Sequence, residues 1–258
     1  MTEHHLPFGR TAQYVLIALG LVVVTACKKE DQIPSMQTTV VVVDTVSIPP
    51  GSVADSDGNV YSTILVGGAR WFAENLRSRH YENGDPIAYE PSAAQWAYLD
   101  TGAWSTYSND VNYQTIYGHL YNWYSVSDPR NVCPSGWHVP TDEDWQTLEL
   151  SLGMPVIEVG LIGLRGDSLN IGGKLKATVY WESPNIGANN VSGFSGLPGG
   201  DRLNNGGYDH EGYRGSWWTA TEANSDFARQ RSLVSNYSGI YRFNVLKEAG
   251  ASVRCVKD

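Results

Sequence analysis

The hydrophobic and polar positions change period along the chain, and each change predicts an element. Val60 to Val66 is rich in β-branched residues and reads as a strand, Gly67-Gly68 as a hairpin turn, and Arg70 to Leu76 as the return strand. From Arg77 to Tyr113 there is little period: Ser92 stands as the cap of a short helix ending near Trp96, and the rest reads as long loop. Apolar and aromatic residues from Tyr117 to Val126 supply core. Pro134, Gly136 and Pro140 punctuate a short extended piece, Trp137 to Val139. Beyond it Trp145, Leu148 and Leu152 recur at helical spacing, so Asp142 to Leu152 is the best helix, with Thr141 as N-cap and Asp142, Glu143 and Asp144 in its positive first turn.

Gly172 to Thr178 suggests a second, shorter helical turn. After Gly187 the chain is Gly-rich: Gly199-Gly200-Asp201-Arg202 and Asn204-Asn205-Gly206-Gly207 read as turns, and Gly215 to Thr221 as a buried strand. Arg229 to Val234, Ile240 to Asn244 and Ser252 to Val256 read as final strands. Few helices, several short strands and long loops make the class α+β. With 9 Trp, 15 Tyr and 27 Gly against only 17% charged residues, packing is aromatic and long helices are disfavoured.

The N-terminus has another character. Arg10 precedes the apolar run Tyr14 to Val24, whose helix would rise about 16 Å, short of a ~30 Å hydrocarbon core, so it reads as a signal segment. Val24-Thr25-Ala26-Cys27 resembles a bacterial lipobox, which makes Cys27 the lipidated first residue of the mature chain and its membrane partner. Lys29-Glu30-Asp31 resembles the export signal of surface lipoproteins, against the plainer reading of a charged linker head. The expected layout is a signal peptide over 1–26, a lipidated cysteine and linker over 27–53, and one domain over 54–258, on the outer membrane and at the cell surface. Within the linker, Thr38 to Val43 reads as tether or edge strand.

Of three cysteines, Cys27 is assigned to lipid, leaving Cys133 and Cys255 to pair in an oxidising compartment. A net charge of −9, with no basic run longer than Lys28-Lys29, excludes a nucleic-acid footprint.

The motifs of catalysis are broken ones. Asp55 to Asn59 lacks the spacing of a calcium loop and reads as a turn. Gly193-Phe194-Ser195-Gly196-Leu197 fails the last position of a serine-hydrolase elbow, and His210-Glu211-Gly212-Tyr213-Arg214 has Arg where a zinc protease needs His. His119 and His138 read as hydrogen-bonded structural histidines. No catalytic residue, metal ligand or cofactor is assigned. Asp209, Glu211 and Glu222 are the acids available to a carbohydrate-active alternative. Tyr208, Tyr213, Asn236, Tyr237, Tyr241 and Arg242 fall on turns and strand ends, and combine broad contact area with adaptable hydrogen bonding. They form the expected ligand surface, for a glycan or a protein. Trp217 and Trp218 are assigned to core.

Several of these stretches also carry a resemblance. Asp57-Gly58-Asn59-Val60-Tyr61, Trp71-Phe72-Ala73-Glu74-Asn75-Leu76, Tyr117-Gly118-His119-Leu120-Tyr121-Asn122-Trp123-Tyr124, Cys133-Pro134-Ser135-Gly136-Trp137-His138, Gly172-Gly173-Lys174-Leu175-Lys176, Gly193 to Gly200 and Val253-Arg254-Cys255-Val256 stand in the order of the Fibrobacter succinogenes major paralogous domain, a family of extracytoplasmic lipoprotein modules. Val139-Pro140-Thr141-Asp142-Glu143-Asp144-Trp145, Arg214-Gly215-Ser216-Trp217 and Val253-Arg254-Cys255 also look like landmarks of the formylglycine-generating enzyme group. That second resemblance implies a C-type-lectin-like domain with termini close together and exposed late loops. The group's oxidase chemistry needs two active cysteines binding copper, and this chain has no such pair left. The reading is therefore a non-catalytic binding module, with a structural envelope role and a carbohydrate-active enzyme as alternatives.

Overall fold

Two glycines make the first tight connection: Gly67 and Gly68 both have positive φ, the geometry a two-residue hairpin turn requires, and they join the strands Val60–Val66 and Ala69–Phe72. The computed structural model describes residues 49–258, within the compact unit Ile48–Asp258. The signal segment, Cys27, and the linker as far as residue 48, Thr38 to Val43 included, lie outside the described residues. Among the described residues no helix is long and apolar enough to cross a membrane.

The hairpin belongs to a five-stranded sheet ordered Ser52–Ala54, Val60–Val66, Ala69–Phe72, Val256–Lys257, Trp137–His138. Val256 is paired with both Trp71 and His138, so the C-terminal strand is the wedge between hairpin and corner. Beside it the Cys133–Cys255 disulfide closes, with Cα atoms 5.9 Å apart. The second sheet has ten strands and a long central part: Gly199–Arg202, Arg214–Glu222, Phe227–Val234, Ile240–Leu246 and Gly163–Arg165 lie side by side, with Tyr208–Glu211 on the Gly199 strand. Both sheets with a few short helices make the chain α+β.

The helix Asp142–Ser151 starts on a full capping box: Thr141 accepts from the Asp144 N–H while Asp144 accepts from the Thr141 N–H. Its Trp145 and Leu148 enter an apolar cluster with Trp71, Phe194, Trp217, Leu233 and Ile240. Trp218, next along its strand, points the other way into a second cluster with Tyr61, Phe72, Tyr121 and the disulfide. Both indoles are buried and satisfied, Trp217 donating to Asn75 Oδ1 and Trp218 to the Tyr121 carbonyl.

Asp142 and Glu149, two turns apart on the helix, carry charge into the interior. Asp142 accepts from Arg231 Nη1 at 2.6 Å and from Arg242 Nη2 at 2.7 Å; Glu149 accepts from Arg231 Nε at 2.6 Å and Arg165 Nη1 at 2.5 Å. All five side chains are buried. Arg254 is fully buried and, among the described residues, has no acid as partner: it donates to Asn75 Oδ1 and to the Phe194 and Ser195 carbonyls, and its guanidinium lies 4.1 Å over the Phe194 ring. Burial pulls its pKa down to about 9. Gly193 to Leu197 is therefore a structural loop gripped by Arg254.

Four sequence readings change. Gly199 to Arg202 is a buried strand and no turn: a Cβ on Gly200 would meet the Asp209 carbonyl at 2.6 Å, so the glycine serves close strand approach. Ser252 to Val256 is no single strand; Gly250–Ala251 joins the large sheet and Val256–Lys257 the small one, with the chain crossing between them. The return strand ends at Phe72, after which Asn75 turns inward. The Arg77 to Tyr113 loop holds strands Ala88–Tyr89 and Ala103–Ser105, too short to show a period. The Asp55 turn, the Ser92-capped helix and a short helix at Ile171–Leu175 are present. His138 bridges Asp258 and Asp144, and His119 is buried against Trp104, burial pushing its pKa down to about 3.

Candidate functional site

The strand Ile240–Leu246 decides which predicted residues meet. Alternation puts Ile240 and Arg242 on the helix side and Tyr241, Phe243 and Val245 on the other. Register then sets Tyr241 opposite Ser232 and Phe243 opposite Gln230, with Trp218 beyond Gln230 on the next strand. Arg242 is thereby removed from the expected ligand surface. It is buried and bound to Asp142 and to the Gly160 carbonyl. A carboxylate in the core claims the arginine that its strand position aims inward.

Tyr213, Asn236, Tyr237 and Tyr241 do come together. The Tyr213 hydroxyl donates to Asn236 Oδ1 at 2.9 Å; Tyr237, 38% exposed, meets Tyr241 edge-on at 5.9 Å; Tyr241 stacks on Phe243 at 5.0 Å. Partial burial raises the Tyr241 pKa, helped by Tyr237 and Tyr213 and opposed by Arg214, so its hydroxyl stays a neutral donor and acceptor at physiological pH. Tyr208 is elsewhere. Its hydroxyl donates to Asn109, its ring leans on Tyr107, and the Arg202 guanidinium covers it from the inside.

The loop bearing Asn236 and Tyr237 is held from beneath. Lys176 Nζ, buried, donates to the carbonyls of Ile186, Val234 and Tyr237 at 2.7, 3.1 and 2.9 Å, and burial pulls its pKa down to about 8. Asp167 accepts from the Ser238 and Gly239 N–H groups at 2.8 Å. The exposed aromatic edge is thus pre-arranged, which lowers the entropy lost on binding.

Behind Phe243 lies a hollow of about 160 Å³ lined by Asp201, Arg214, Gln230, Phe243, Val245 and Ala249 among others. Asp201 Oδ2 is 3.3 Å from His210 Nδ1 and 3.5 Å from Arg214 Nη1, contacts of charge without hydrogen-bond geometry. Among the described residues, Asp201 Oδ2, His210 Nδ1 and Arg214 Nε are buried polar atoms with no hydrogen-bond partner. Sequence reasoning missed Asp201 because Gly199-Gly200 looked like a turn, and missed Phe243 although Tyr241-x-Phe243-x-Val245 has strand period.

Of the acids weighed for hydrolysis, Asp209 and Glu211 share the strand Tyr208–Glu211, and Glu211 and Glu222 are far apart. Glu211 accepts from the Tyr117 hydroxyl, next to the turn that opens the strand Arg214–Glu222, while Glu222 at its far end binds Lys247. A strand of that length separates them by roughly 25 Å, against about 5–9.5 Å for a glycosidase pair. A second hollow, about 270 Å³, lies beside the disulfide and contains His80, whose Nδ1 is 2.6 Å from Asp57 Oδ1. Ser78 Oγ donates to the His80 carbonyl at 2.8 Å and approaches Asp57 Oδ2 at 3.3 Å, and Ser56 Oγ donates to the Tyr81 carbonyl. Among the described residues no group of three or more His, Cys, Asp or Glu side chains forms a metal site.

A family model described as the Fibrobacter succinogenes major domain matches residues 64–257, a span that includes the hairpin turn, the disulfide and every residue of the tyrosine-edged face. No curated protein and no solved structure matches the chain significantly.

Proposed function

The chain belongs to the Fibrobacter succinogenes major domain family, and on that premise we propose that it is a lipid-anchored module of the outer membrane, at the cell surface, that binds a glycan or protein without catalysis. Its scaffold in this reading is C-type-lectin-like, with Cys27 as the anchor and the domain projecting outward. The observation that carries the proposal is the convergence of Tyr213, Asn236, Tyr237, Tyr241 and Phe243 on one open sheet face whose loop is locked by Lys176. Tyrosine brings area and hydrogen bonding at low entropy cost, and Asn adds an adaptable polar contact.

The test is a glycan array and a cell-envelope cross-linking screen, each with wild type, Tyr237→Ala and Tyr241→Ala. A ligand whose affinity drops roughly 30-fold, the scale of a hot-spot residue, with unchanged melting, supports the reading. A ligand indifferent to both substitutions refutes this face as the site. An assembly role is the second reading, favoured by the exposed Val156, Ile157, Leu161 and Ile162. Ile157→Asp abolishing envelope cross-links while leaving array binding intact would select it for that surface.

A further inference from the structure

We infer that the hollow beside the disulfide is a binding site for a primary ammonium group on a short carbon frame, held by the Glu82 carboxylate and by Nε2 of His80. It shares no residue with the tyrosine-edged face, so it is a second site and stands or falls apart from the first.

The polar wall of this hollow accepts hydrogen bonds and has almost none to give. Asp57, its side chain 4% exposed, fixes the imidazole of His80: a carboxylate only accepts, so the 2.6 Å contact places the proton of the neutral ring on Nδ1 and leaves Nε2 as an acceptor. Ser78 Oγ spends its one proton between the His80 carbonyl at 2.8 Å and Asp57 Oδ2 at 3.3 Å, and Ser56 Oγ spends its own on the Tyr81 carbonyl, so both offer the hollow lone pairs only. Glu82 is exposed, and among the described residues its carboxylate has one weak partner, Asn131 Nδ2 at 3.4 Å. Asp55 adds charge but is already supplied with donors by Asp57, Asn59 and Tyr61. No lysine or arginine lines the hollow, and Arg79 approaches Asp57 only to 3.7 Å.

Such a wall selects a guest that donates, does not accept, and carries positive charge. A primary ammonium has three donors and no acceptor. An anionic guest meets Glu82 and Asp55, and a neutral hydroxyl answers the acceptors without answering the charge. A bare divalent cation needs four close ligands or six or more oxygens, whereas only His80 and Glu82 are uncommitted here. Ala54, Val132, Pro134 and Cys133 supply apolar wall for the carbon frame, and a volume of about 270 Å³ leaves room for that frame beside the charge, near the ~300 Å³ lower end of small-molecule sites. A lysine side chain and an amino sugar both present this chemistry.

The experiment titrates the full-length chain, kept in detergent, with Nα-acetyl-lysine amide and with methyl glucosaminide, each beside its N-acetylated, uncharged counterpart. Saturation-transfer NMR reads the ligand and the ¹⁵N resonance of His80 Nε2 reads the site. At least one amine binds in the millimolar range and moves that resonance, and its acetylated counterpart does not. Glu82→Gln, a change on the surface that leaves melting unaltered, weakens the amine roughly tenfold. His80→Gln is the second variant and weakens it likewise, while Tyr237→Ala binds it as wild type does. Whichever amine binds more tightly supports the site and tells a protein side chain from a sugar. Failure of both amines to bind overturns the site, as does equal binding of amine and acetylated forms or indifference to both variants. Zinc or calcium chloride moving the His80 resonance where no amine does overturns the ammonium assignment.

Discussion

Asp142→Asn tests the charge network that joins the capped helix to the large sheet. The wild-type carboxylate takes four hydrogen bonds, from Arg231 Nη1 at 2.6 Å, from Arg242 Nε and Nη2 at 2.9 and 2.7 Å, and from Gln146 Nε2 at 2.7 Å. With Glu149 it faces three arginines, so neutralising it leaves one carboxylate against three buried guanidinium groups. Breaking a buried pair by removing one partner costs about 3–5 kcal/mol, a large share of the ~5–15 kcal/mol that holds a domain folded. For a domain of this size each kcal/mol moves the midpoint by about 2–4 °C, which predicts a fall of roughly 6–20 °C at pH 7 by calorimetry with the disulfide intact. Burial raises the Asp142 pKa, but Arg242 and Arg231 overcome it and hold the carboxyl far below its ordinary value of 3.8. A folded pKa below the unfolded one gives stability that is complete above about pH 4 and drains away as pH falls through the folded value. The gap between wild type and variant must therefore narrow below pH 3. A midpoint loss under 2 °C at pH 7, or a gap that widens in acid, refutes the reasoning.

Other consequences follow from the same structure. Cys133→Ser opens a loop of 122 residues and costs about 2–5 kcal/mol, measured by urea unfolding beside the reduced wild type. Lys176→Met frees the carbonyls of Val234 and Tyr237 and speeds amide exchange from Ser235 to Gly239, with a several-fold loss of ligand binding. Burial lowers the Lys176 pKa from 10.5 to about 8, so the folded chain binds fewer protons than the unfolded one between those values. Wild type consequently gains stability relative to Lys176→Met as pH rises from 8 to 10.5. A flat difference between the two across that range contradicts the burial of a charged amine.

Local pattern decided much of this molecule. Thr141 before three acids and a Trp145–Leu148 stripe dictates the helix and its cap, because capping and helical period act within a few residues. The Gly67-Gly68 hairpin and the Ser92 cap are legible for the same reason. The disulfide was readable because assigning Cys27 to lipid leaves only one possible pair. Tyr213, Asn236, Tyr237 and Tyr241 could be picked out as polar aromatics and amides on turns and strand ends.

What the chain cannot express locally is which distant groups share a face. Arg242 and Tyr241 are neighbours with opposite fates, since strand alternation and a carboxylate one hundred residues earlier send one inward and leave the other at the surface. Asp201 reads as part of a turn until the Gly200 backbone is seen packed against Asp209, and only sheet order brings it to Arg214 and Phe243. Composition and short-range period therefore determined the elements, the covalent clasp and the residue types of the proposed binding surface. Packing alone determined its membership, because register and burial are settled by contacts between strands far apart in the chain.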